Sequence, residues 1–239
     1  MKKSKLLIII GVILALIIGV ILFFSLSEEE PPVVVNGDAL KFKEEYESLN
    51  DTYAFGDIKY SSLDINESNP FVYASDKEVL DMLENGTGMV YIGYPKCPWC
   101  RNAVNVLQHV STDKILYFNA YDHRDTYEIK DGAPVKTKEG TDTYYELLRL
   151  LDEVLWDYEI EKDGVKYNAG EKRIYVPMVV GVKDGKIVAS HIDIVDLEEG
   201  QTAFDLLNKN QQEALLEIYN GIKSKVYDDA CDTTSEHGC

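Results

Sequence analysis

Cys97-Pro98-Trp99-Cys100 sets two thiols one helical turn apart, the spacing at which one sulfur can attack a disulfide and the other can resolve the mixed disulfide that results. The reactive form is the thiolate. A cysteine at the start of a helix sits among unsatisfied backbone N–H groups at the positive end of the helix dipole, which brings an ordinary thiol pKa of about 8.5 down into the range of about 3.5–7.5. Cys97 is therefore the expected nucleophile and Cys100 the resolving thiol, with Lys96 adding positive charge and Pro98 fitting the first helical turn, where its missing donor costs nothing. Trp99 reads equally as a docking surface beside Cys97 and as a cap on the core. The same spacing also suits half of a zinc site, with Cys231 and Cys239 as the other half, or an inert bridge. The second pair is too widely spaced for a tight zinc cage, and with His237 it makes only three ligands. No metal is expected, and no cofactor beyond the Cys97–Cys100 disulfide itself. His109 and His191 read as surface positions.

The elements around the motif are readable. Met89 to Gly93 is a short apolar run bounded by Gly88 and Pro95, suited to a strand buried on both faces. Ala103, Val104, Leu107 and Val110 continue from the motif at helical spacing, and Lys114 to Ala120 makes a second strand, so residues 89 to 120 read as a right-handed strand-helix-strand unit. Upstream, Ser75 and Glu78 form a capping box ahead of Val79, Leu80 and Leu83, with Asn85-Gly86 at the helix end. Ala39, Phe42, Tyr46 and Leu49 have helical spacing, followed by a polar stretch. Downstream, the segment with Gly132, Pro134 and Gly140 reads as loop, and Tyr144 to Tyr158 as one amphipathic helix. Asp163-Gly164 suggests a small hairpin, and Asp184-Gly185 between Met178–Val182 and Ile187–Ile192 a strong one. Leu215, Ile218, Tyr219, Ile222 and Val226 predict a last helix.

The chain has 239 residues, 42 acidic against 24 basic, for a net charge of −18. Phosphate binding needs a basic footprint, so nucleic acid is excluded as a partner. Leu6 to Phe24 is a run of nineteen uncharged residues between Lys2, Lys3 and Lys5 on one side and Glu28, Glu29 and Glu30 on the other. At about 28 Å it matches a hydrocarbon core of ~30 Å, predicting one transmembrane helix with residues 25 to 239 extracytoplasmic. A cleaved signal peptide, with Ser25 and Ser27 near the cut, is the competing reading. Four cysteines in an exported domain are too few for a disulfide-held scaffold. Cys231 and Cys239 are a candidate second disulfide, closing the tail or serving as a second redox pair.

The strand leading into Cys97-Pro98-Trp99-Cys100, its helix, the second strand and Val176-Pro177 opening the Asp184-Gly185 hairpin resemble the thioredoxin superfamily over about Gly88 to Val226. The resemblance implies an α/β thioredoxin-like fold, a central mixed sheet flanked by helices. It also implies a cis proline at Pro177 that packs against the dithiol, with Val176 and Pro177 shaping a peptide groove. Two departures stand out. Tyr91 occupies the position of the buried aspartate that thioredoxins proper carry six residues before the first cysteine, and some 55 residues with a long helix separate the second strand from Pro177. With the anchor, the chain looks most like the membrane-anchored thioredoxin-like proteins of Gram-positive bacteria, some of them labelled bacteriocin transport accessory proteins. The expected organisation is a cytoplasmic and membrane segment at 1–26, a tether at 27–37, an N-terminal extension at 38–87, the thioredoxin-like domain at 88–227 with a helical insertion at about 124–172, and a cysteine-containing tail at 228–239. The expected function is a membrane-anchored thiol-disulfide oxidoreductase acting on exported cysteine-containing proteins or peptides with an unidentified redox partner. A non-catalytic accessory that holds an exporter or peptide is the alternative.

Overall fold

The computed structural model describes residues 37–227. In chain order its elements are helix α1 (Gly37–Glu47), strands β1 (Tyr53–Phe55), β2 (Ile58–Lys59) and β3 (Phe71–Tyr73), helix α2 (Asp76–Asn85), strand β4 (Gly88–Gly93), helix α3 (Pro98–Leu107) and strand β5 (Ile115–Asn119). Then come strands β6 (Thr126–Lys130) and β7 (Ala133–Lys138), helix α4 (Asp142–Leu150), strands β8 (Trp156–Lys162), β9 (Val165–Arg173), β10 (Met178–Lys183) and β11 (Lys186–Ile192), and helix α5 (Lys209–Tyr227).

Five strands make the central sheet in the order β11-β10-β4-β5-β3. β3, β4 and β5 run parallel, and β10 is antiparallel to both β4 and β11. β4 is central and all six of its residues are buried, as an uninterrupted apolar run requires. Its side chains alternate. Met89 and Tyr91 enter a core with Phe42 and Tyr46 of α1, Leu107 of α3 and Tyr219 of α5, while Val90 and Ile92 enter the opposite core with Val79 and Leu83 of α2 and Leu147 of α4. The sheet begins with Phe71, so β3 and α2, which the sequence reading set in an N-terminal extension, supply its edge strand and its first crossover.

The capping box forms: the Ser75 side chain accepts from the Glu78 N–H and Glu78 accepts from the Ser75 N–H. The β10–β11 turn places Asp184 at φ 50° and Gly185 at φ 69°. The Gly185 N–H donates to the Gly86 carbonyl at 2.9 Å, and a Cβ on Gly185 would lie 2.0 Å from the Glu84 carbonyl oxygen. Gly132 turns the β6–β7 hairpin at φ 77° with nothing within 4 Å of such a Cβ. Urea unfolding should therefore separate the two sites: Gly185→Ala is expected to cost about 3 kcal/mol, from left-handed strain plus overpacking, and Gly132→Ala about 1–2 kcal/mol from strain alone.

The segment between β5 and Pro177 differs from expectation. The insertion is not mainly helical: it holds two antiparallel hairpins, β6–β7 and β8–β9, with one helix between them. The loop expected around Gly132, Pro134 and Gly140 contains the first hairpin, turned by Asp131 and Gly132, both at positive φ. The long helix expected over Tyr144 to Tyr158 stops at Leu150. A single 3-10 turn at Asp152–Val154 follows, and then Trp156–Lys162 pairs as a strand whose Tyr158 and Ile160 are half-buried between exposed neighbours. That alternation, in a run rich in aromatic and branched residues, favours the ladder with β9 over a continued helix. Asp125, near the start of the insertion, and Arg173, just after it, are joined by a buried ion pair at 2.9 Å.

The anchored topology is corrected. Among the described residues no helix is long and apolar enough to cross a membrane. The transmembrane helix, membrane attachment, extracytoplasmic placement and exported clients are therefore without support; Leu6 to Phe24 and the tether up to Asn36 lie outside the described residues, and Gly37, set at the end of the tether, opens α1 instead. Cys231 and Cys239 also lie outside the described residues. The architecture is an α/β fold with a mixed sheet and flanking helices.

Candidate active site

β4 ends at Gly93, and the chain turns through Tyr94–Cys97, closed by the Cys97 N–H to Tyr94 carbonyl bond at 3.2 Å, before α3 begins at Pro98. Cys97 is the N-cap of α3, with extended backbone at φ −85° and ψ 116°. Its sulfur takes the place of the usual capping oxygen, accepting the Cys100 N–H at 3.3 Å. Pro98 is in the first turn, where no donor is missed.

The two sulfurs lie near disulfide distance, and both cysteines are free thiols. Cys97 keeps 6% of its surface exposed and Cys100 none, so an outside sulfur can reach only Cys97. Their ionisation is pushed apart. A hydrogen bond from the Cys100 thiol and N–H bonds at the helix start hold Cys97 below the ordinary thiol range, aided by the charge of Arg124 and opposed by burial. Burial pushes Cys100 well above it, and the adjacent Cys97 sulfur pushes the same way.

The Val176–Pro177 bond is cis, and the Val176 carbonyl accepts from the Cys97 thiol at 3.7 Å, so the β10 entry lies against the dithiol. Trp99 is half-buried and packs on the core that contains α3 and α5. Lys96 is exposed, its ammonium 5.8 Å from the Tyr121 ring, and it lines a cavity of about 230 Å³ with Glu45, Tyr94, Asn119 and Tyr121. The cation that reaches Cys97 electrostatically is Arg124, which donates to the Tyr94 hydroxyl at 3.1 Å.

Sequence reasoning did not single out Arg124, Arg101 or Tyr46. Arg101, the residue after Cys100, is fully buried, and its guanidinium donates to the carbonyls of Tyr46 and Ser61 and to Asn50 Oδ1. It ties α1 and the 61–63 segment to the active-site helix. Tyr60 donates to the Lys96 carbonyl at 3.1 Å and lies beside half-buried Phe204, which in turn packs against exposed Phe55. Tyr46 is marked only as part of a helical apolar face, and no local pattern marks Arg101 or Arg124, because their partners are tens of positions away. Among the described residues no group of three or more His, Cys, Asp or Glu could hold a metal ion.

The arrangement is a redox-capable Cys-x-x-Cys pair, with one sulfur at the surface of a helix N-terminus and its neighbour sealed behind it. Compared with known proteins, the chain matches no family model, no curated protein and no solved structure.

Proposed function

We propose that the domain is a thiol-disulfide oxidoreductase of the thioredoxin superfamily. The observation that carries this reading is the Cys97 sulfur, set as the N-cap of α3, hydrogen-bonded by the Cys100 N–H and thiol, and facing the Val176 carbonyl. The strand order, with β10 antiparallel beside the strand that feeds the motif and a cis proline at its entry, supports the superfamily assignment.

In the reaction, the Cys97 thiolate attacks one sulfur of a partner disulfide, forming a Cys97–partner bond and expelling the other partner sulfur as a thiolate, which takes up a proton. Cys100 then attacks Cys97, closing the Cys97–Cys100 disulfide and releasing the second partner sulfur. The partner is reduced by two electrons and the dithiol oxidised by two. Run backwards, the same steps oxidise a partner dithiol.

The test is the pH dependence of Cys97 alkylation by iodoacetamide in the reduced protein. A depressed thiol pKa leaves more thiolate at any given pH than an ordinary cysteine has, so the rate should fall off at a lower pH than it does for a cysteine in an unstructured peptide. Its midpoint is expected below about 8.5, with Cys100 unreacted throughout. A midpoint at or above that of a cysteine in an unstructured peptide would leave the pair as an inert structural feature.

A further inference from the structure

The β8 strand leaves an aromatic surface in solvent. Trp156 is 52% exposed, and its ring stands 6.0 Å from that of half-buried Tyr175, the two tilted at 45°. A tryptophan kept in water beside a second ring is characteristic of a surface that binds. Tyr175 is held in place for such a role: its hydroxyl accepts from the Glu159 N–H at 2.9 Å and donates to the Glu159 carbonyl at 3.3 Å, which ties the ring to β8.

The two rings wall a cavity of about 490 Å³ whose remaining lining is Asp157, Glu159, Glu161 and Lys166. The three carboxylates come from every second residue of β8. Among the described residues only Glu159 of the three has an ion pair, to Lys166 across the hairpin at 3.0 Å, with both side chains more than half exposed. Such an exposed pair is weak and yields readily to a competing cation. Two negative charges are then left uncompensated beside two rings, in a chain whose net charge is −18. Ring faces and carboxylates together select a cation, and a guanidinium above all, because it stacks on one and pairs with the other. The cavity also adjoins the dithiol. Tyr175 immediately precedes Val176, whose carbonyl accepts from the Cys97 thiol at 3.7 Å, so the aromatic wall begins one residue from the group that meets the nucleophile.

We infer that this cavity docks an arginine or lysine side chain lying within a few residues of the partner's reactive cysteine, so that the substrates are basic cysteine-containing peptides or protein segments. This rests on the oxidoreductase reading and names the substrate class of its site. The partner's cation lies against Trp156 and Tyr175 and pairs with Asp157 and Glu161, while its sulfur meets Cys97.

The experiment mixes the reduced full-length protein with short peptides whose single cysteine is held as a mixed disulfide with 5-thio-2-nitrobenzoate, and follows release of the coloured thiolate. Cys97 bonds to the peptide sulfur and expels the aromatic thiolate with the bonding pair. Cys100 then loses its proton, bonds to Cys97 and releases the peptide thiolate, which takes up a proton. The peptides differ in one residue, Arg, Ala or Glu, placed two, three or four positions to either side of the cysteine. Each rate is divided by that peptide's rate with free glutathione, which removes its intrinsic reactivity. At the best position the Arg peptide is expected to react about tenfold faster than the Ala peptide, and the Glu peptide more slowly than either. Asp157→Asn combined with Glu161→Gln, both exposed and nearly isosteric, is expected to bring the Arg-to-Ala ratio down to about twofold while the Ala rate stays in place. Lys166→Ala, which frees Glu159, is expected to raise the ratio. Glu213→Gln combined with Glu217→Gln, which removes two exposed carboxylates from α5, is expected to leave it near the wild-type value. Equal rates for Arg and Ala peptides at every position overturn the proposal while the oxidoreductase reading stands. A preference that survives loss of Asp157 and Glu161, or that the α5 pair lowers as much, does the same. If no peptide reacts at Cys97, the oxidoreductase reading fails and the proposal with it, which is a distinct result.

Discussion

Cys97→Ser is expected to abolish exchange with oxidised glutathione, a loss on the order of a thousandfold or more, while Cys100→Ser still attacks and stops at the mixed disulfide. The asymmetry follows from burial and charge together. Only Cys97 touches solvent, and only Cys97 has its ionised form favoured at the helix start. Serine at 97 supplies a hydroxyl with no accessible anion in neutral water, so the nucleophile is gone. Serine at 100 leaves the attack intact and removes the sulfur that would release the partner. The two positions are also coupled: the largest influence lowering the Cys97 pKa is the hydrogen bond from the Cys100 side chain. Cys100→Ala, which removes that donor, should therefore shift Cys97 alkylation to higher pH, whereas Cys100→Ser, which keeps an O–H, should shift it less. Mass analysis of trapped adducts and the two alkylation profiles read these effects. Equal trapping on either sulfur, or alkylation profiles indifferent to residue 100, would contradict the assignment of roles.

The second large effect is on stability. Arg101→Met is expected to lower the free energy of unfolding by about 3–5 kcal/mol, measured by urea denaturation followed through tryptophan fluorescence. Methionine keeps much of the volume and loses the fork. The Ser61 carbonyl receives two guanidinium N–H bonds, at 2.7 and 3.3 Å, and the Tyr46 carbonyl one at 2.6 Å. Losing these donors strands the buried Tyr46 carbonyl and weakens the half-buried Ser61 site, and burying a guanidinium is tolerable only because those bonds exist. Arg101→Lys should recover little, since an ammonium cannot reach several acceptors in the plane of a fork. A loss below about 1 kcal/mol for Arg101→Met would mean that α1 and the 61–63 segment are held by apolar packing alone.

What could be read from the sequence was what a short window encodes. The Ser75–Glu78 capping box, the Asp184-Gly185 turn and the strand into Cys97 are each specified within a few residues, and all three appear in the structure. Windows misled where two periodicities overlap: Tyr158 continues the stripe of α4 and also fits the alternation with Ile160 in β8, and the β9 strand that settles the matter comes later in the chain. The β6–β7 hairpin was hidden by its polar, exposed strands and by Pro134, which an edge strand accommodates. β3 is only three residues long, so its place at the sheet edge depends on pairing with β5 some forty positions on. The site divided the same way. The cysteines and Pro177 were visible as motifs, whereas the Tyr46–Tyr91 contact spans 45 residues and buried Arg101 looks like any solvent-facing arginine on a helix.

β4 carries the site at its end and is paired on both sides, with every residue enclosed between two cores. Amides in such a strand exchange with deuterium only when the whole domain opens, so no fraying of its own can loosen the sulfur pair. The dithiol thus keeps its shape until the rest of the molecule comes apart, and solvent or temperature can disturb it gradually only through the turn at Tyr94–Lys96 and the approach of Val176.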